Sequence, residues 1–330
     1  MTDLGMPTLP SARTPATSQS GPVVFTEGHH FRLNGETSVD ELAGQLTAPL
    51  STILQVTKRC DFDCVMCSET LQLPDPTLDQ LDTMRTNLAG VKRVFLSGGE
   101  PLMRRDFGDI VDMYSENFIL GIPTNATRAL QHAERLVGKV AYVNVGLEGP
   151  RALTQRLRGD YDKVMAGIRV FQEHGLPLSL SCVVLRSDLH GLPFTYQIAD
   201  TLDAGKLKLI MPLRKGNALD LAEHEFISNT EAQAKFNELV SLASTFAWRP
   251  ALRLTAWTPE TEGHMICIEP TGRANAWPVY DAPDLFEPLG NVLEEPVSEI
   301  WSRYRFKRNH VAKYLGASIH TTPRGGGSHA

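Results

Sequence analysis

The sequence predicts an α/β fold built on a parallel sheet of six strands. Three observations predict it. Strand-like apolar runs alternate with helical patterns from residue 50 onward. A cysteine-dense loop follows the first strand, and a Gly-Gly-Glu-Pro turn follows the second.

Ser51–Thr57 reads as the first strand, ending just before the cysteine loop. Leu78–Leu88 reads as a helix and Val91–Ser97 as the second strand, a buried run that enters Gly98-Gly99-Glu100-Pro101. Phe107–Glu116 is a helix, Ile119–Thr124 a strand, Leu130–Val137 a helix and Ala141–Leu147 a strand. The amphipathic helix Tyr161–His174 precedes strand Leu178–Leu185; helix Thr195–Leu202 precedes strand Leu207–Pro212. Strands joined through helices pair in parallel with right-handed crossovers. Ligands in such folds bind at the carboxyl ends of the strands.

Composition sets the bounds. A chain of 330 residues allows one large α/β domain and an appendage, and 42% hydrophobic residues can bury a sizeable core. A net charge of -6 provides no global basic field for nucleic acid. No stretch approaches the ~20 apolar residues that span a membrane. The opening residues lack the apolar core of a signal peptide, and reduced cysteines point to a cytoplasmic protein. Residues 1–48 are expected to be disordered or extended, 49–220 to form the core, 221–315 an extension and 316–330 a disordered tail.

Cys60, Cys64 and Cys67 have the spacing C-x3-C-x2-C. Three such thiolates can hold three irons of a [4Fe–4S] cube and leave the fourth iron open. The alternatives are zinc, a disulfide framework or chance. Structural zinc takes four ligands, and no further Cys or His lies between Cys67 and His132. Disulfide frameworks belong to small secreted chains with dense, even cysteine counts; this chain has five cysteines. In the second motif, Gly98 and Gly99 let a ligand approach the backbone, and Glu100 adds a carboxylate at a strand end.

Together the two motifs resemble the radical S-adenosylmethionine (SAM) superfamily. The resemblance implies a partial (β/α)6 barrel and a [4Fe–4S] cluster on Cys60, Cys64 and Cys67. The open iron would bind the amino and carboxylate groups of SAM, with contacts from the Gly98, Gly99, Glu100 and Pro101 turn. One electron, from a flavodoxin- or ferredoxin-type donor, would cleave SAM to methionine and a 5′-deoxyadenosyl radical that takes hydrogen from the substrate. Met66 stands where relatives often place an aromatic residue against adenine. At the later strand ends the resemblance singles out Asn125, Glu148 and Arg186 above the plain reading of turn or cap residues. Gly146-Leu147-Glu148-Gly149 stands where relatives often read Ser-Leu-Asp-Gly, so Glu148 is a candidate to reach substrate or SAM. Arg186 is the candidate partner of the SAM carboxylate.

Segments Ile266–Pro278, Leu289–Glu295 and Glu299–Trp301 resemble the SPASM/twitch extension, a β-hairpin followed by a helix. The cysteines that hold auxiliary clusters there are missing. Val279 follows Trp277-Pro278, and only Cys182 and Cys267 lie outside the cluster loop. One cluster, without a second electron acceptor, favours redox-neutral outcomes. Cys267 is then a candidate hydrogen-atom donor, set against its reading as a small buried hydrophobe.

This branch resembles antibiotic-pathway enzymes that act on sugars, aminocyclitols and nucleosides. The expected function is a radical SAM lyase on a sugar or sugar–nucleoside, for example a nucleoside-glucuronate decarboxylase. Arg186, Arg214 and Lys215 would meet a substrate carboxylate. An epimerase using Cys267 and a peptide-modifying enzyme are the alternatives. A non-catalytic iron–sulfur protein fits poorly with the Gly-Gly-Glu-Pro turn and the strand–helix series.

Overall fold

In the strand that opens Lys206-Leu-Lys-Leu, buried leucines alternate with half-buried lysines. This period of two recurs along the sheet and separates its faces: one packs on helices, the other lines an interior. The structure, a computed structural model, describes residues 23–25, 31–33, 38–258, 262–277 and 288–315. The tail expected over 1–22, that over 316–330 and the position of Val279 lie outside the described residues.

The described elements, in chain order, begin with β1 (Val23–Phe25), β2 (Phe31–Leu33) and α1 (Val39–Gln45). Then follow β3 (Ser51–Thr57), α2 (Leu78–Asn87), β4 (Arg93–Gly98), α3 (Phe107–Ser115), β5 (Ile119–Thr124) and α4 (Ala129–Leu136). Next come β6 (Tyr142–Gly146), α5 (Arg151–Leu157), α6 (Tyr161–Glu173), β7 (Leu178–Val183), α7 (Leu192–Thr201), β8 (Lys206–Ile210) and α8 (Asn229–Phe246). The chain then forms β9 (Ala251–Thr255), β10 (Met265–Ile268), β11 (Arg273–Trp277), β12 (Gly290–Asn291), α9 (Val297–Arg303) and α10 (Lys307–Leu315).

Strands β3 to β9 pair in sequence, all parallel. The predicted α/β partial barrel is therefore present, with a seventh parallel strand, β9, that the sequence reading placed in the extension. The C-terminal hairpin continues the same sheet: β10 pairs in parallel with β3 and antiparallel with β11, and β12 follows on β11. The segment expected to be disordered or extended up to residue 48 contains α1, fixed by a capping box between Ser38 and Glu41.

The main core lies between the outward strand faces and the helices, with Leu54, Val94, Leu120, Val143, Leu180, Leu207 and Leu252 all buried. Burying each such side chain contributes roughly 1.5–3 kcal/mol. Helix α10 packs on α1 through Val311, Leu42 and Ala43. Its His310 accepts from the Leu50 backbone N–H at 2.9 Å and donates through Nδ1 to the His264 carbonyl at 2.6 Å. Leu50 and His264 immediately precede β3 and β10, so His310 ties α10 to the amino-terminal end of the barrel. Among the described residues no helix is long and apolar enough to cross a membrane.

Candidate cofactor and substrate site

The cluster loop leaves β3 and folds back on the turn that ends β4. Gly99 N–H donates to the Thr57 carbonyl at 3.0 Å, and Glu100 N–H to the Arg59 carbonyl at 2.8 Å. This close approach is why two glycines are needed. A Cβ on Gly98, whose φ is +150°, would lie 2.0 Å from the Thr57 oxygen, and one on Gly99 2.5 Å from the Arg59 oxygen.

Glu100 is buried, and its carboxylate serves the fold. Oε1 accepts from Leu102 N–H at 2.9 Å and Thr124 Oγ1 at 2.8 Å; Oε2 accepts from Asn125 N–H at 2.6 Å. Burial pushes its pKa up to about 7 against those bonds. Asn125 in turn donates from its side chain to Asp61 of the cluster loop at 2.7 Å. The β4 end, the β5 end and the cysteine loop thus form one hydrogen-bonded unit.

Cys60, Cys64 and Cys67 line one cavity of about 530 Å³ together with Gly98, Gly99 and Glu100. Asn125 and Arg158 line it as well. Pro101 is buried behind that wall, at the start of a 3-10 turn. Backbone N–H groups of Phe62 and Glu69 each point at a sulfur, Cys60 Sγ and Cys67 Sγ, at 3.4 Å. Burial pushes the Cys60 thiol up to about 12. Among the described residues no three His, Cys, Asp or Glu side chains gather around a single-ion position. Zinc would require such convergence; a cube takes each thiolate on a different iron.

Glu148 lies at the end of β6, 2% exposed, and holds Arg158. Arg158 Nε donates to Glu148 Oε1 at 2.6 Å, while Val183 N–H donates to Oε2 at 2.8 Å. Gly146 makes the room: a Cβ there would lie 2.5 Å from the Arg158 guanidinium. The sequence reading missed Arg158, and its one signal was the glycine at 146 in place of a hydroxyl residue.

Other predicted residues lie elsewhere. Arg186 is not brought to this cavity. It forms a two-toothed ion pair with Glu231 on the first turn of α8, at 2.6 Å and 3.1 Å, and donates to the His224 carbonyl. Arg214 pairs with Glu223 and stacks over Phe226, and Lys215 turns toward Glu69. Cys267 is 3% exposed on β10, opposite Ile53 of β3, and lines none of the three described cavities. Met66, by contrast, stays at the site: it is buried against Leu157 and Leu185 and lines the barrel cavity beside Cys64 and Cys67.

A second cavity of about 390 Å³ runs inside the barrel and shares Cys64, Cys67, Asn144, Arg158 and Ser181 with the first. Its far end holds Arg93, Lys206, Lys208, Arg253 and Lys313, with aromatic walls that include Tyr142, Trp257 and Tyr314.

A partial barrel of parallel strands with three thiols at their carboxyl ends defines a class, and sequence comparison agrees with it. Residues 54–190 match the family model described as the radical SAM superfamily. The cofactors of that superfamily are a [4Fe–4S] cluster and SAM, and the residues described above fit both. The chain is 32% identical over 177 residues to the PqqA peptide cyclase of Rhodopseudomonas palustris, covering 49% of this chain and 46% of that protein. It is 35% identical over 149 residues to the GTP 3',8-cyclase of Rhizobium leguminosarum bv. trifolii, covering 40% and 43%. The chain therefore spans less than half the length of these two curated relatives. Among solved structures, Streptococcus suis SuiB bound to its precursor peptide SuiA shares the fold: TM-score 0.65 at 12% identity, covering 81% of this chain and 67% of that one.

Proposed function

We propose that this chain is a radical SAM enzyme whose substrate occupies the barrel cavity. One observation supports this above the others: the thiols, the Gly98-Gly99 backbone and Arg158 open on a cavity that adjoins the barrel cavity. Cys60, Cys64 and Cys67 hold three irons. The Gly98-Gly99 turn, which lines the same cavity, meets the SAM amino group. Arg158, rather than Arg186, takes the SAM carboxylate, with Glu148 fixing its fork. Bound there, the cluster and SAM would supply hydrogen-atom abstraction from the substrate, with the electron coming from a flavodoxin- or ferredoxin-type donor.

The substrate we infer is a peptide. The relatives' names support ring formation on a peptide or on GTP, and neither describes a lyase. The cations invoked for a sugar carboxylate, Arg186, Arg214 and Lys215, are engaged by Glu231, Glu223 and Glu69. A nucleotide is the second reading, favoured by the basic end of the barrel cavity.

The test is anaerobic reconstitution, iron counting and SAM cleavage with synthetic peptides and with GTP. About four irons per chain and peptide-dependent 5′-deoxyadenosine are expected. Cleavage stimulated by GTP alone would move the assignment to the second reading. No 5′-deoxyadenosine with any substrate would remove the enzyme reading.

A further inference from the structure

One face of the C-terminal hairpin serves two cavities. Met265 and Trp277, opposite each other on β10 and β11, line the barrel cavity. Asn275, two residues earlier on β11, lines a third cavity of about 490 Å³ with Glu269 of the hairpin turn. Side chains two residues apart on a strand share a face and stand about 7 Å apart. The inner face of β11 is therefore a track from one cavity to the other. Across from it stand Ser68 and Glu69, at the exit of the cluster loop, and Lys215 and Asn217, after β8. Ser68 borders the barrel cavity as well.

Most polar groups of this third cavity are matched within the fold. Lys58 and Lys215 pair with Glu69. Asn217 Nδ2 donates to Asp63 Oδ1 at 2.7 Å and to the Cys64 carbonyl at 3.1 Å. Asn275 is different. It is 6% exposed, opposite Cys267, and its side-chain amide has no hydrogen-bond partner among the described residues. The Glu269 carboxylate likewise has neither an ion-pair nor a hydrogen-bond partner among the described residues. An amide taken out of water without a partner costs free energy, and an apolar side chain of the same shape would serve the strand as well or better. Asn275 thus holds unused donors and an unused acceptor at the wall of a cavity.

A side-chain amide and a peptide group each offer both N–H and C=O, so one can bond the other twice. Glu269 adds an acceptor for a further N–H. With the lysines already matched, the free groups suit a neutral, amide-bearing ligand better than an anion. We propose that Asn275, with Glu269, is a subsite for the main chain of an extended peptide, gripping the segment next to the residue that lies in the barrel cavity. The inference rests on the reading of the substrate as a peptide and adds where its flanking residues bind.

Ligand-observed saturation-transfer NMR on the anaerobic holoprotein tests it with two probes of one shape. The first is N-acetyl-tetraalanine N-methylamide; the second carries ester links in place of its central amides. The amide probe is expected to bind with a Kd of about 10 mM or below, and the ester probe about fivefold or more weakly. Asn275→Leu, similar in size, should erase the difference between the probes and keep the melting temperature at or above that of wild type. Glu269→Gln should weaken the amide probe about threefold or more, while the surface variant Lys163→Gln leaves it unchanged. No binding of either probe, or equal binding of both by wild type, overturns the subsite. A clear fall in the melting temperature of Asn275→Leu also overturns it, because the amide would then serve the fold. The readout does not use SAM cleavage. Amide-dependent binding in a protein that cleaves SAM only with GTP keeps the subsite and removes the peptide reading, so the two failures are told apart.

Discussion

Glu148 holds Arg158 where the two cavities meet, through a 2.6 Å hydrogen bond between Nε and Oε1. Glu148 is buried, with 1% of its side chain exposed, and Arg158 is half-buried at 17%. Removing one partner of a buried pair leaves the other charge uncompensated, at a cost of about 3–5 kcal/mol. Glu148→Gln is therefore expected to lower the melting temperature and raise the KM for SAM. Arg158→Lys keeps the charge but loses the fork, and should raise the KM for SAM with a smaller loss of stability. Kinetics of 5′-deoxyadenosine formation and thermal melts check both; an unchanged KM in Arg158→Lys would remove its assigned contact.

Gly98 is where backbone shape limits cluster assembly. Its φ of +150° and the 2.0 Å gap to the Thr57 oxygen leave no space for a methyl group. Gly98→Ala is expected to push the turn away from the cluster loop, at a cost on the order of 1–3 kcal/mol. Iron content and the charge-transfer absorbance of the reconstituted protein should fall in parallel, while far-ultraviolet circular dichroism stays close to wild type.

His310 contributes an acid-sensitive lock. Burial holds its pKa down at about 3, against an ordinary value of 6.5. Between those values the unfolded chain binds a proton that the folded chain does not. Stability from this group is present above 6.5 and is lost as pH falls toward 3. His310→Gln should be less stable at neutral pH and show a shallower loss between about pH 6.5 and pH 5. Denaturant midpoints at several pH values measure the difference.

Much of the fold was legible. The alternation of apolar runs and helical patterns placed β3 to β8 within a few residues, because period and length are local properties. β9 was not separated from the extension, because Ala251–Thr255 is a short strand whose only mark is its pairing with β8. Cys60, Cys64 and Cys67 were legible as a set because their spacing in the chain is itself the chemistry. Arg186 was placed at the cofactor from its position after a strand, yet the guanidinium finds Glu231 on α8, 45 residues away.

By itself, the sequence determined the strand–helix order, the cysteine loop and the glycine turn, all of which depend on neighbours along the chain. Only the tertiary structure decided which charges face the cavity. The sequence places Lys208 within the strand predicted over Leu207–Pro212 and Lys206 just before it, and lysines alternating with leucines fit a solvated face as well as an interior. The open sheet wraps so that this face lines the barrel cavity, beside Arg93, Arg253 and, from α10, Lys313. Orientation of a strand face is a property of the whole sheet, so no local pattern contains it.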